Sequence, residues 1–149
     1  MYRPNKYQAY QAGAVLTASP AQLVLLLFDG ALKFLNIALE GFKNEDPLEF
    51  NLTIHQNLQR AQSIVRELKA CLDIEKGPEF AEKMTALYDY FDRRLQESNL
   101  KKEKGPLEEV IRHMGVLREA WKEMMLKQNS AEASVPGQTT QQGDWSATG

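Results

Sequence analysis

The chain of 149 residues carries 18 Lys and Arg against 20 Asp and Glu, 43% apolar side chains and a single Cys. That length holds one core and not two, and the apolar fraction lets most of the chain fold as a globule. The lone Cys71 excludes an intramolecular disulfide framework and points to the cytosol, while a net charge of -2 argues against a general nucleic-acid binder, which needs surplus Lys and Arg to displace counterions from phosphates.

Residues 1–16 place Tyr2, Tyr7 and Tyr10 among small and polar side chains, and no continuous apolar run follows Arg3 and Lys6. This is not the pattern of a cleaved targeting peptide. The segment is expected to pack by its rings, with a groove of the main domain as one place for it to lie.

Beyond it, proline divides the chain, because Pro lacks an N–H and its fixed φ suits the first turn of a helix. Ser19-Pro20-Ala21-Gln22 opens a first helix with a side-chain acceptor, a proline and the Gln of a capping box. Its longest strongly apolar run, Leu23 to Phe28, ends at Asp29 and is far short of the ~20 residues of a membrane span, so no stable membrane insertion is expected. At ~100° per residue, Gln22, Asp29, Lys33, Asn36, Glu40 and Lys43 fall on one narrow polar stripe. Leu23, Val24, Leu27, Ala31, Phe34, Leu35 and Ala38 suffice to face partner helices. Leu25, Leu32 and Leu39, spaced by seven, form an extra apolar column beside the polar stripe.

Asp46-Pro47-Leu48-Glu49 opens the second helix on the same capping-box plan. Ile54, Leu58, Ala61, Val65, Leu68 and Leu72 recur at alternating spacings of four and three, the period of a bundle core, with Ile64 and Cys71 on the flank. Cys71 stands near the end of that helix, where the dipole does not favour a thiolate, and reads as a buried or partly buried structural thiol. Gly77-Pro78-Glu79 opens a third helix with core positions Phe80, Met84, Leu87, Phe91 and Leu95, and Tyr88 is assigned to the core. Gly105-Pro106-Leu107-Glu108 opens a fourth, with Leu107, Val110, Met114, Leu117, Trp121 and Met124 inward and Val116 nearly opposite.

From Asn129 to Gly149 the chain has no Lys, Arg, Leu, Ile, Phe or Met, a disordered composition in which Trp145 stands alone. The reading is therefore all-α: an antiparallel up-down four-helix bundle over 17–128, an N-terminal aromatic segment over 1–16 and a disordered polar tail over 129–149. The flanking apolar residues are either covered by neighbouring helices or line a groove for an amphipathic helix of a partner.

No catalytic constellation is present in the sequence. A carboxylate-bridged metal pair needs two Glu-x-x-His motifs, and neither His55 nor His113 has an acid three residues before it. With Cys71 they are too few for a closed zinc site. No Gly-x-Ser-x-Gly turn or glycine-rich phosphate loop occurs, so neither enzyme activity, cofactor nor metal is expected.

The residues Thr17-Ala18-Ser19-Pro20 followed by Leu23 through Leu35, reading TASPAQLVLLLFDGALKFL, resemble the flagellin export chaperones of the FliS family. Ala61-Gln62 with Glu67-Leu68, Leu87 to Phe91 with Arg93-Arg94-Leu95, and Leu107 to Val110 with Leu117 to Trp121 extend the likeness over about residues 7 to 123. The resemblance implies a cytoplasmic chaperone without a cofactor that binds the unstructured C-terminal segment of flagellin. Masking that segment prevents premature polymerisation and helps deliver the subunit to the export gate protein FlhA. Leu25, Leu32, Leu39, Ile64, Tyr90 and Val116 are the candidate groove residues, and the N-terminal Tyr7 and Tyr10 become a candidate displaceable lid. Phe28 stands where many relatives have Tyr. The alternative from a different class is a homo-oligomer, or an adaptor for another helical client; a weak homodimer is compatible with the chaperone reading.

Overall fold

The structure, a computed structural model, describes residues 19–73 and 77–134. Four helices account for it, α1 (Pro20–Gly41), α2 (Pro47–Ala70), α3 (Pro78–Lys101) and α4 (Lys104–Ser134), and no strand occurs among the described residues. The all-α bundle is thus the observed fold. Tyr7 and Tyr10, and the tail from residue 135, lie outside the described residues.

Each helix carries a proline in its first turn, where no backbone N–H is needed. At the head of α1 both halves of the capping box form: Ser19 Oγ accepts from the Gln22 N–H at 3.2 Å, and Gln22 Oε1 accepts from the Ser19 N–H at 3.0 Å. At α2 the Asp46 carboxylate accepts from the Glu49 N–H at 2.9 Å, the first half of the expected pair. Gly77 caps α3 without a side-chain bond, as a glycine must. The fourth helix begins at Lys104 rather than at the expected Gly105-Pro106, which leaves Pro106 third in the first turn and buried. The two-residue link before it is tight enough to put Lys102 at φ 52°, and the Lys102 ammonium secures the end of α3 by donating to the Asn99 carbonyl and side-chain oxygen at 2.7 and 2.6 Å.

Contacts between successive helices run antiparallel, because residue numbers rise on one as they fall on the other. Between α1 and α2, the Arg60 guanidinium lies 5.7 Å from the centre of the Phe34 ring, and Phe42 meets Phe50 edge to face at 5.5 Å. Between α2 and α3, His55 bonds to Asn99 at 2.9 Å, Gln62 donates to Asp92 Oδ1 at 2.8 Å, and Lys69 reaches Asp89 at 2.8 Å. Between α3 and α4, Phe91 stacks on His113 at 6.3 Å and Arg94 pairs with Glu109 at 2.7 Å. Arg118 of α4 closes the ring on Asp29 of α1 at 2.7 Å.

The closest backbone approach is that of α1 to α2, and small residues permit it: Gly30, Ala31, Ala38 and Gly41 are all buried on α1, with Ala61 buried on α2. Ala31, Leu35, Ala38, Ile54, Leu58, Ala61, Phe91, Leu95, Leu107, Val110 and Met114 are completely buried. These include most of the inward positions read from spacing. On α3 the buried face is rotated toward α2: Phe80, expected inside, is 59% exposed, and Ala81 and Tyr88 take the inward positions at 3% each. Met124, also expected inside, is exposed. Buried polar groups sit where helices meet: Gln62 serves Asp92, Ser98 Oγ donates to the Glu103 carbonyl, and Asn57 Nδ2 donates to the Thr53 carbonyl at 2.8 Å.

By compactness the chain falls into two units, one ending at Arg118 and the other beginning at Glu119. In the second, α4 continues to Ser134, so helix extends past the 128/129 boundary expected for the tail. Ala131, Glu132 and Ala133 are good helix formers and account for that continuation.

Helix α1 is long and apolar enough to cross a membrane by length and composition alone. Its apolarity has a different use here, since Leu27, Phe28, Ala31, Phe34, Leu35 and Ala38 are buried against the rest of the bundle.

Candidate functional site

The leucine column of α1 survives folding as a surface feature. Leu25, Leu32 and Leu39 are each only partly buried, while Leu27, Ala31, Phe34, Leu35 and Ala38 are covered. Their position around α1 follows from contacts already given. Phe34 and Gly41 mark the side of α1 that faces α2, and Asp29 marks the side reached by Arg118 of α4. At ~100° per residue the column lies toward the α4 side, adjacent to Asp29. Beside the column, Asp29 on α1 is joined to Arg118 of α4.

Ile64 corrects the sequence reading. It is 3% exposed and belongs to the core, not to a groove. Its burial joins it to the covered face of α2 with Ile54, Leu58, Ala61, Val65 and Leu68. Cys71 departs in the other direction, being exposed at the C-cap of α2. Its thiol is pushed up by partial burial and then by the Glu67 carboxylate, so it is a poor nucleophile.

Tyr90 and Val116 occupy a different side of the bundle from the leucine column. The Tyr90 hydroxyl donates to Glu109 Oε2 at 2.6 Å and its ring carries the Arg93 guanidinium at 5.8 Å. Val116, 69% exposed, stands two turns beyond Glu109 on the same face of α4. The structure therefore sorts the six residues into a leucine set between α1 and α4, an aromatic and valine set between α3 and α4, and one core residue.

Glu109 is the hub of the second set. It accepts from Tyr90 and from Arg94, and His113 Nε2 lies 3.7 Å away. Those bonds, Tyr90's first and Arg94's next, hold the Glu109 carboxyl below the usual carboxylate range, and the same carboxylate raises the Tyr90 phenol. Arg94 also reaches Glu97 at 2.6 Å. This network escaped sequence reading because its members are 15 and 19 residues apart and each resembles an ordinary solvated charge. Leu48, Leu52 and Leu100 are likewise exposed without having been singled out.

Among the described residues no group of three or more His, Cys, Asp and Glu is placed to hold a metal ion. His55 is engaged with Asn99, and His113 stacks on Phe91. An open pocket at the head of α3, lined by Gly77, Pro78, Glu79, Phe80, Glu82 and Lys83, offers carboxylates and an amine but neither a thiol nor an imidazole.

The described residues thus define an all-α helical bundle that carries a partly buried leucine column beside charged residues. Comparison with known proteins narrows this. The family model described as flagellar protein FliS matches residues 3–129, and the chain belongs to that family. It is similar to the flagellar secretion chaperone FliS of Bacillus subtilis (strain 168), 40% identical over 119 residues that cover 80% of this chain and 85% of that protein. The flagellar secretion chaperone FliS of Salmonella typhimurium (strain LT2) is 36% identical over 138 residues, 89% of this chain and 99% of that protein. That of Escherichia coli (strain K12) is 36% identical over 131 residues, 85% and 93% of the two chains.

Proposed function

We propose that this chain is a cytoplasmic flagellar secretion chaperone that takes the disordered C-terminal segment of flagellin onto the apolar column of Leu25, Leu32 and Leu39. The observation that carries the reading is the family match over 3–129, and the leucine column supplies a physical means. Apolar side chains at a spacing of seven offer successive sockets to an amphipathic helix, whose own anchors recur at i, i+3, i+4 and i+7. A flagellin segment held there cannot make the contacts by which subunits polymerise, and it stays unfolded enough for export. Delivery to the export gate protein FlhA follows in the same reading.

Tyr90 and Val116 are candidates for a second stretch of the same wrapped client. Tyr7 and Tyr10, in the segment 1–16, are the candidate lid of the empty groove, ahead of a chaperone domain over 17–128 and a polar tail over 129–149. The mechanism is capture and release, and the relatives named as chaperones fit a protein that is no enzyme. Ordering a disordered client costs about 2–5 kcal/mol, so tight capture requires a long wrapped apolar contact.

Titration calorimetry of the chain with a peptide of the flagellin C-terminal segment from the same organism tests this. The expected result is saturable one-to-one binding with a negative heat-capacity change. Absence of binding between folded protein and soluble peptide would refute flagellin as the client and turn attention to a homo-oligomer or another helical client.

A further inference from the structure

Three side chains in a row tie the end of α3 to α2 and to the turn that leads into α4. Lys102 Nζ donates to the Asn99 carbonyl at 2.7 Å and to Asn99 Oδ1 at 2.6 Å, and Asn99 Nδ2 lies 2.9 Å from His55 Nδ1. An ammonium group has donors only, so the Asn99 amide turns its oxygen to Lys102 and its NH2 to His55. That NH2 is itself a donor, which makes His55 Nδ1 the acceptor and puts the imidazole in its neutral, Nε2–H form. We propose that this relay, from Lys102 through Asn99 to His55, is a proton-sensitive latch: neutral His55 holds the end of α3, and protonated His55 releases it.

A proton on His55 Nδ1 would set one N–H against another. Turning the Asn99 amide over does not help, because its NH2 would then meet the Lys102 ammonium. Asn99 is 7% exposed, so water does not readily replace the lost partner. The surroundings supply no compensating carboxylate: the hydrogen bond that His55 makes among the described residues is the one to Asn99. Its neighbours one turn away on α2 are Asn51, Leu52, Leu58 and Gln59, all uncharged, and the next charges along that helix are Glu49 and Arg60, the latter over the Phe34 ring. On α3, Asp92 is engaged with Gln62 and Arg66, and Glu97 with Arg94 and Lys101, while Lys102 itself brings a like charge. Glu103 and Lys104, at the start of α4, are exposed.

The latch sits on a strained piece of backbone. Lys102 has φ 52°, in the left-handed region that glycine adopts freely and lysine does not. Its N–H turns back to the Ser98 carbonyl, which the Glu103 N–H also reaches at 3.2 Å. The two bonds from Lys102 Nζ help to hold that conformation, and both end on Asn99. Losing the His55 bond frees the amide on which they depend. The contribution of the latch is therefore complete while His55 is neutral and is lost as pH falls through the ordinary imidazole range, about pH 8 to 5.

The test joins nitrogen-15 spectra of the histidine rings to urea denaturation of the full chain at about pH 8 and about pH 5.5, on either side of the imidazole range. The chain has two histidines, so the spectrum of His113→Gln leaves His55 alone, and at the higher pH its ring is expected in the Nε2–H form. Between the two pH values the unfolding equilibrium constant of the parent should rise roughly threefold to tenfold more than that of His55→Gln, the span of one hydrogen bond. Lys102→Met separates a latch from a brace. Without the ammonium, Asn99 is free to turn its oxygen to a protonated His55, so this variant should be less stable than the parent at the higher pH yet lack the extra sensitivity to acid. An Nδ1–H ring at the higher pH, or a Lys102→Met chain as sensitive to acid as the parent, would overturn the proposal, and the ring spectrum decides it even where a variant fails to fold.

Discussion

Gly41 is where the fold depends most visibly on a missing atom. A Cβ built on it would stand 2.8 Å from Thr53 Cγ2, 3.2 Å from Thr53 Cβ and 3.3 Å from Ile54 Cγ1. Thr53 is β-branched and stiff about χ1, and Ile54 is completely buried, so neither neighbour can simply swing away. Gly41→Ala therefore sets two effects against each other. Alanine in place of glycine in a helix stabilises by up to about 1 kcal/mol, and less at a terminal residue. Forcing a methyl into a closed seam costs about 1–3 kcal/mol. The clash prevails, with a net loss of about 1 kcal/mol that lowers the urea midpoint by roughly 0.3–1 M, given a slope of ~1–3 kcal/mol per molar. Thr53→Ser removes the nearest atom and keeps the hydroxyl, so in the Gly41→Ala background it should recover part of that loss, and a double-mutant cycle followed by circular dichroism isolates the coupling. A Gly41→Ala chain as stable as the parent, or the absence of any coupling to Thr53, would refute close α1–α2 packing as the basis of this seam.

Three further outcomes follow from burial and charge. Phe91→Ala should cost about 3–5 kcal/mol, because the ring is completely buried, whereas Phe80→Ala, at a site 59% exposed, should stay within about 1 kcal/mol in the same denaturation assay. Glu109 is depressed by Tyr90 and Arg94, so its contribution is complete above the ordinary carboxylate pKa and is lost as pH falls through its lower folded value; urea midpoints from neutral to acid pH should fall less steeply for Glu109→Gln than for the parent. The Tyr88 phenol is pushed up to about 12 by burial and then by Cys71, so the folded chain keeps a proton that the unfolded chain gives up near pH 10. Stability should drain away between those values, Tyr88→Phe should lose less of it, and an ultraviolet titration should lose a late-ionising tyrosine in Tyr88→Phe.

Much of this architecture is written locally, which is why it was legible. Prolines mark every helix start to within about two residues, Ser19 and Gln22 announce their cap, and the spacing of Ile54, Leu58, Ala61, Val65 and Leu68 forecasts a buried face. What escaped depends on relations between distant segments. Ile64 sits on the flank of the α2 spacing yet is buried, and no pattern within α2 reveals that. Phe80 fits the spacing of α3 yet lies in its first turn, where Ala81 and Tyr88, seven residues apart, turn toward α2 instead. Buried Gln62, Ser98 and Asn99 read as surface residues until Asp92, Glu103 and His55 are set beside them. For the candidate site, the leucine column was legible because it is an excess over what a core needs. The polar bridge beside it was not, since Asp29 and Arg118 are 89 residues apart.

The measurement that bears most directly on the central claim is the affinity of Leu32→Asp for the flagellin C-terminal peptide, beside the parent in the same calorimeter. Leu32 is already partly exposed, so the substitution should leave the helical spectrum and the unfolding midpoint close to those of the parent. With the client's apolar face seated on this column, a carboxylate there loses its water without gaining a partner, and binding should weaken at least about tenfold. A folded Leu32→Asp chain that binds the peptide as tightly as the parent would contradict the claim and move the client to another face of the bundle.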